Sequence, residues 1–298
     1  MSPQKSFSPR ALSELFLLGV LWGASFLSIR IALDTIPVMT SVLHRVLWAS
    51  AVLWAIIFIR RIPVPRDPRI WCAFLVMGLL NNVLPFSLMA WGQLSVEVGL
   101  TSILNAATAI FGVVLAAAFF PDERLSPARL FGVVIGFFGV AVAIGLGNFT
   151  QLNPNSLAQL AILSGTLSYA FASIWARLKL DKLRPVIAAA GMLSASTLIM
   201  LPITIAIDGV PSISLPWDTW AAIAYYAVFA TAGAYLLYYR VLAQAGSGNL
   251  MLVTLIIPPI SILLGALVRD EALPSNAYLG FAILSVGLII LSRSGRRD

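Results

Sequence analysis

The sequence predicts an all-α integral membrane protein whose ten transmembrane helices form two inverted five-helix repeats. Three observations carry this. Of 298 residues, 60% are hydrophobic and only 10% charged, against roughly 45–50% and 25% in soluble domains. That leaves too few polar side chains to cover a water-facing surface. The apolar residues gather into ten stretches, each near the roughly 20 residues that a helix needs to cross hydrocarbon. The second half of the chain also repeats features of the first at a near-constant spacing.

The stretches follow in order. Span 1 (12–33) is preceded by Lys5 and Arg10 and superficially mimics a signal peptide. It runs on without a small-residue cleavage pattern, so it is read as a retained span. Span 2 (38–59) stops before Arg60-Arg61 and the turn-forming Pro63-Val64-Pro65. Span 3 (70–91) opens near Cys72, the one cysteine, which can form no internal disulfide. It also holds Asn81, Asn82 and Pro85. Span 4 (98–120) carries Asn105 near its middle, and span 5 (128–146) has Gly132 and Gly136 at a spacing that permits close helix packing, as do Gly19 and Gly23 in span 1.

Asn153-Pro154-Asn155 separates span 5 from span 6 (157–177). Span 7 (186–207) contains Pro202, span 8 (219–240) carries Tyr225, Tyr235 and Tyr238, and span 9 (248–268) has Pro258-Pro259 at its centre. Span 10 (276–292) closes the chain. No stretch alternates with the period of a barrel strand. No connection is long enough for a further domain.

Net charge is +7 and the pI about 10.0. In a soluble chain this would suggest nucleic acid as a partner. Here the positive charge lies in connections between apolar runs, so the bilayer is the partner and nucleic acid is not. With both termini placed in the cytoplasm, 16 of the 19 lysines and arginines fall on that side. Only Arg269 falls outside, while Arg30 and Arg45 lie within spans. This positive-inside bias places the N- and C-termini in the cytoplasm of a multi-pass protein of the bacterial inner membrane.

The halves divide as 1–150 and 151–298. Asp122-Glu123-Arg124-Leu125 with Gly132 and Gly139 recurs as Asp270-Glu271-Ala272-Leu273 with Gly280 and Gly287, 148 positions later. Trp22, Phe26 and Arg30 match Tyr169, Ser173 and Arg177 at an offset of 147. Each half holds five spans, an odd number, so the second runs upside down relative to the first. That is a signature of secondary transporters whose site lies between the repeats near the midplane.

Leu21-Trp22-Gly23-Ala24-Ser25-Phe26 in span 1 resembles the opening motif of EamA-type drug/metabolite transporters, and so does the Asp122-Glu123-Arg124-Leu125-Ser126 turn with Arg129, Gly132, Gly136 and Gly139. The resemblance covers essentially the whole chain, with a more degenerate second copy in which Pro274 and Asn276 replace Ser126 and Ala128. It implies a ten-helix exporter of small metabolites, most similar to the YddG-type amino-acid exporters. Export of drugs or other small metabolites is the alternative that this resemblance leaves open.

Polar groups are costly in hydrocarbon and mark function by default. Arg45 lies only two or three residues from the middle of span 2, roughly 4 Å at helical rise, with His44, the one histidine, beside it. With Asn81, Asn82 and Asn105 these groups can surround a carboxylate and an ammonium, Arg45 holding the carboxylate through its planar fork. The competing reading has Arg45 bonding helix carbonyls or the asparagines. Trp22, Phe26 and Arg30 share one face of span 1, beside Ser25. With Tyr169 they can line an aromatic cavity suited to apolar or aromatic amino acids. Pro258 and Pro259 remove two backbone donors, so freed carbonyls can face that cavity, or the pair can simply kink the helix. The inversion also pairs Arg30 with Glu271 at the outer end and Arg177 with Glu123 at the inner end as candidate alternating gates.

All twelve carboxylates sit at helix ends, in loops or in tails, leaving no mid-membrane Asp or Glu for an ion relay. His44 is a candidate for coupling. No Gly-rich loop precedes a lysine, so no ATP-driven step is expected, and no cofactor or metal. A serine partner for His44 would make an intramembrane enzyme, but there is no G-x-S-x-G elbow and no paired-Asp motif. A channel remains a third reading, which saturable flux would separate from a carrier. Two repeats in one chain complete the cavity, so a monomer suffices.

Overall fold

The computed structural model describes residues 8–121, 126–145, 154–245, 250 and 252–294. Among them there is no strand. Nine helices are long and apolar enough to cross a membrane: Pro9–Leu33, Val38–Ile59, Pro68–Gly92, Val98–Phe119, Pro127–Ile144, Asn155–Lys179, Pro185–Ile207, Trp217–Leu242 and Ser275–Arg293. These are spans 1–8 and 10. Val253–Arg269, the described part of span 9, is a shorter apolar helix that stays continuous through Pro258 and Pro259.

Local sequence explains where several helices begin. Spans 1, 3 and 5 each start with a polar cap followed by proline. Ser8 accepts from the Ala11 N–H, Asp67 from that of Arg69 and Ser126 from that of Arg129. Each cap satisfies one of the free donors of a first turn, and proline at the first helical position loses no bond. Span 9 ends at Asp270 in the left-handed region (φ 53°). That turn sends the Glu271 N–H back to the Gly265 carbonyl at 3.2 Å.

The helices pack as a two-fold arrangement predicts. Span 2 packs on span 7, span 4 on span 9, and span 5 on span 10. The remaining neighbours come in exchanged pairs. Span 1 packs on spans 9 and 8, as span 6 packs on spans 4 and 3, and span 3 on span 7 as span 8 on span 2. Exchanging the halves therefore maps the packing onto itself. With five spans per half the two-fold axis lies in the membrane plane, and the repeats are inverted.

Small residues allow the closest of these contacts. A Cβ on Gly139 would lie 2.4 Å from the Leu284 nitrogen, and one on Gly280 would lie 2.3 Å from the Ala143 nitrogen, so spans 5 and 10 meet backbone to backbone. Gly19 and Gly23 receive Ile256 and Ile260 of span 9 in the same way. Such approach replaces the hydrophobic drive that helices lack inside lipid. Large apolar side chains such as Phe131, Val134, Phe138 and Leu198 remain on the outside, where lipid is their solvent.

Three spans depart from the regular helix expected. Span 3 widens to a π-helical turn over Leu79–Val83, and span 8 over Tyr225–Gly233. Shifted by 148 positions, the first falls inside the second, so both repeats carry the same irregularity. Span 4 breaks at Ala106, just after Asn105, where Val98–Asn105 gives way to Ala107–Phe119. Pro85, which has no N–H to return to the Leu80 or Asn81 carbonyl, stands two residues beyond the first of these breaks, while the other two contain no proline and composition gives no warning of them.

Candidate functional site

The wide turn of span 8 organises the polar centre of the bundle. Opening a helix to i→i+5 spacing frees backbone carbonyls and creates room for side chains. Here Thr231 donates to the Tyr226 carbonyl at 2.7 Å and accepts from Arg45 Nε at 3.0 Å. The Arg45 guanidinium carbon lies 3.7 Å from the centroid of the Phe86 ring. Tyr169 meets the same ring edge to face, with centroids 6.4 Å apart. The phenols of Tyr169, Tyr235 and Tyr226 all lie within electrostatic reach of the guanidinium.

Arg45, Tyr169 and Tyr235 are half-buried, so each keeps accessible surface. The proximity of the two phenols to Arg45 gathers that surface beside the guanidinium. Arg45 Nη1 and Nη2 have no hydrogen-bond partner among the described residues, and no described carboxylate approaches them. The uncompensated charge sits in the middle of the bundle.

A second polar chain borders the same surface. Asn81 Nδ2 donates to the Tyr235 hydroxyl at 3.0 Å, which donates to Asn82 Oδ1 at 3.2 Å. Asn82 Nδ2 then donates to Ser196 Oγ at 2.9 Å, so the chain links spans 3, 8 and 7 across the repeats. The wide turns are also tied from outside. Trp22 Nε1 donates to the Ala230 carbonyl at 3.1 Å, and Ser168 Oγ to the Leu80 carbonyl at 2.7 Å.

The structure thus brings Arg45, Asn81, Asn82 and Tyr169 together, with Trp22 on the far side of the wide turn. His44 turns elsewhere. Its Nδ1 accepts from Trp48 Nε1 at 3.2 Å and its ring meets Trp220 edge to face at 5.6 Å. It faces the side of a cleft of about 430 Å³ whose lining includes Trp48 and Trp220, because successive residues of a helix point about 100° apart. Ser25 bonds back to the Trp22 carbonyl, Phe26 is buried, and Asn105 stands at the break in span 4. Pro258 is buried in span 9.

Phe86, Tyr226, Thr231 and Ser196 escape the sequence reading. They are ordinary apolar or small polar residues there; Phe86, Tyr226 and Thr231 lie beside the arginine, and Ser196 meets Asn82. Tyr235 is legible as an aromatic residue of span 8, but its bond to the asparagines is not.

Both ends of the bundle are tied by carboxylates. At one end Asp34 accepts from Arg30 at 2.6 Å and also from Arg269. Glu271 Oε2 there accepts the Val98 N–H at 2.9 Å, which caps span 4. Arg30 and Glu271 do not bond each other in this conformation, although both line one cleft of about 210 Å³. At the opposite end Glu14 accepts from Arg10 at 3.2 Å, Gln244 at 2.8 Å and Arg240. Arg177 lies over Phe120 at 4.1 Å, while Glu123 lies outside the described residues.

Comparison with known proteins agrees with this architecture. The profile of the EamA-like transporter family matches twice, over residues 11–145 and 156–293. A probable amino-acid metabolite efflux pump of Escherichia coli is 26% identical over 288 residues, covering 92% of each chain. A probable terminal-alkyne amino-acid exporter of Streptantibioticus cattleyicolor is 26% identical over 297 residues, covering 97% of this chain and 96% of the other. The Bacillus subtilis uncharacterized transporter YoaV is 20% identical over 271 residues, covering 91% and 92%. A solved crystal structure superposes with a TM-score of 0.69 at 18% identity, over 97% of this chain and 99% of that one, and so shares the fold.

Proposed function

We propose that this chain, which belongs to the EamA-like transporter family and is a multi-pass membrane transporter rather than an enzyme, exports amino acids of broad specificity, aromatic and apolar ones included. Transport proceeds by alternating access through the space beside Arg45, across a bacterial inner membrane with both termini in the cytoplasm. The observation that carries this reading is Arg45 itself. A guanidinium at membrane depth whose two terminal nitrogens have no partner among the described residues, and which no described carboxylate approaches, suits an anionic visitor. The surrounding rings of Phe86, Tyr169 and Tyr235 suit an apolar or aromatic side chain. The names of the two amino-acid exporting relatives point to the same class.

The carboxylate docks on the Arg45 Nη edge, and the Asn81 side-chain oxygen takes the amino group. Arg30 with Glu271, and Arg177 with Glu123, act as gates in alternate conformations. Support at the first end comes from the cleft that Arg30 and Glu271 share. Counterflow of radiolabelled amino acids in proteoliposomes tests the reading, with Arg45→Ala and Trp22→Ala beside the parent. Saturable exchange that falls at least tenfold in Arg45→Ala supports it. If both variants match the parent for every compound, the site lies elsewhere.

A further inference from the structure

We infer that the Arg45 site selects for a carboxylate without an accompanying ammonium, so a monoanion occupies it more tightly than the corresponding amino acid. This deepens the amino-acid reading of the same site and rests on it for the location of the cargo. The argument is one of charge. A guanidinium keeps its proton in proteins, so Arg45 gives the site one positive charge. Among the described residues no carboxylate offsets it. Among the described carboxylates, Asp208 accepts from the Thr40 N–H and hydroxyl at 2.7 and 2.9 Å, while Asp34 is committed to Arg30 and Arg269, and Glu14 to Arg10 and Arg240.

A zwitterion entering this site presents its carboxylate to Arg45 and brings a second cation with it. That ammonium sheds water and meets only neutral acceptors. The side-chain oxygen of Asn82 is already engaged by Tyr235 and Asn81, and Thr231 by Arg45. The ammonium is also repelled by the guanidinium through a medium of low dielectric, where charge–charge terms weigh more than in water. A monocarboxylate avoids both costs and leaves the loaded site neutral. Phe86 packs against the guanidinium carbon at 3.7 Å, and the Nη edge is left to meet such a group as a fork. The cargo class that follows is aryl or alkyl monocarboxylates: keto, hydroxy and N-acyl acids related to amino acids, with the free amino acids bound more weakly.

Three probes that share one phenylethyl frame test this on the purified full chain in detergent at pH 7: 3-phenylpropionate, phenylalanine and phenethylamine, with binding measured by equilibrium dialysis. Saturable 3-phenylpropionate binding about tenfold tighter than phenylalanine, no saturable phenethylamine binding, and loss of the acid's binding in Arg45→Gln are expected. Phenylalanine bound as tightly as the acid or more so overturns the inference and leaves the amino-acid reading standing. The acid bound through Arg45, with phenylalanine neither bound nor exchanged, supports the inference and ends the amino-acid reading. Saturable phenethylamine binding, or no binding of either carboxylate, overturns the inference. The comparison needs only the parent protein, so a misfolded Arg45→Gln leaves it decisive.

Discussion

The indole N–H of Trp22 bonds the carbonyl of Ala230, at 3.1 Å and 208 positions away in sequence. Its counterpart in the other half is the Ser168 hydroxyl on the Leu80 carbonyl at 2.7 Å. In each case the first span of one repeat satisfies a carbonyl in the wide turn of the other. A carbonyl freed at membrane depth has no water to turn to, so these two donors keep the wide turns open.

Replacing Trp22 by Phe keeps an aromatic ring and removes the donor. The Ala230 carbonyl then loses its partner at a cost of roughly 1 kcal/mol. Melting of the purified variant is expected at a lower temperature than the parent. Ser168→Ala should behave likewise, and unchanged melting in both would separate the bonds from the stability of the wide turns.

Phe86 is expected to act through Arg45. In Phe86→Leu the guanidinium loses its platform, a contact of roughly 1–2 kcal/mol at a desolvated site. Exchange in proteoliposomes should show a KM raised several-fold with a smaller change in maximal rate. Phe86→Tyr restores the ring and should restore KM. Equal KM in Phe86→Leu and parent would show that the stack does not orient the arginine.

Arg30→Glu and Glu271→Arg should each reduce transport, and the double exchange should recover it if the two residues pair when that end of the bundle rearranges. In the conformation described, Arg30 is held by Asp34, so Asp34→Asn should favour the rearranged state. Failure of the double exchange to rescue removes this pair as a gate.

At the seam of spans 5 and 10, Gly280→Ala places a Cβ 2.3 Å from a backbone nitrogen that cannot move aside. A loss of about 1–3 kcal/mol is expected, read as a lower melting temperature. Gly112→Ala, where nothing lies within 4 Å of the added Cβ, should be neutral.

The ten spans, their pairing into halves and the inversion are legible in the sequence because lipid imposes them: length, apolarity and an odd number of spans suffice. Arg45, Asn81 and Asn82 also stand out, since polar groups in hydrocarbon are rare. Their partners do not. Thr231 and Phe86 are unremarkable in composition, and they meet Arg45 only because span 8 widens and span 3 lies against it. His44 illustrates the opposite limit. Adjacent to Arg45 in sequence, it turns to Trp48 and Trp220, which the helical rotation of one residue accounts for.

Each wide turn also acts as a phase shift along its span. Because it holds more residues per revolution than an ordinary helix, it rotates everything downstream. Deleting one amino acid within Tyr225–Gly233 would restore normal pitch and swing Tyr235 by about 100°, breaking its hold on Asn81 and Asn82. Chains of this lineage that keep the polar centre therefore have to keep their length at these two places, even where the side chains themselves drift.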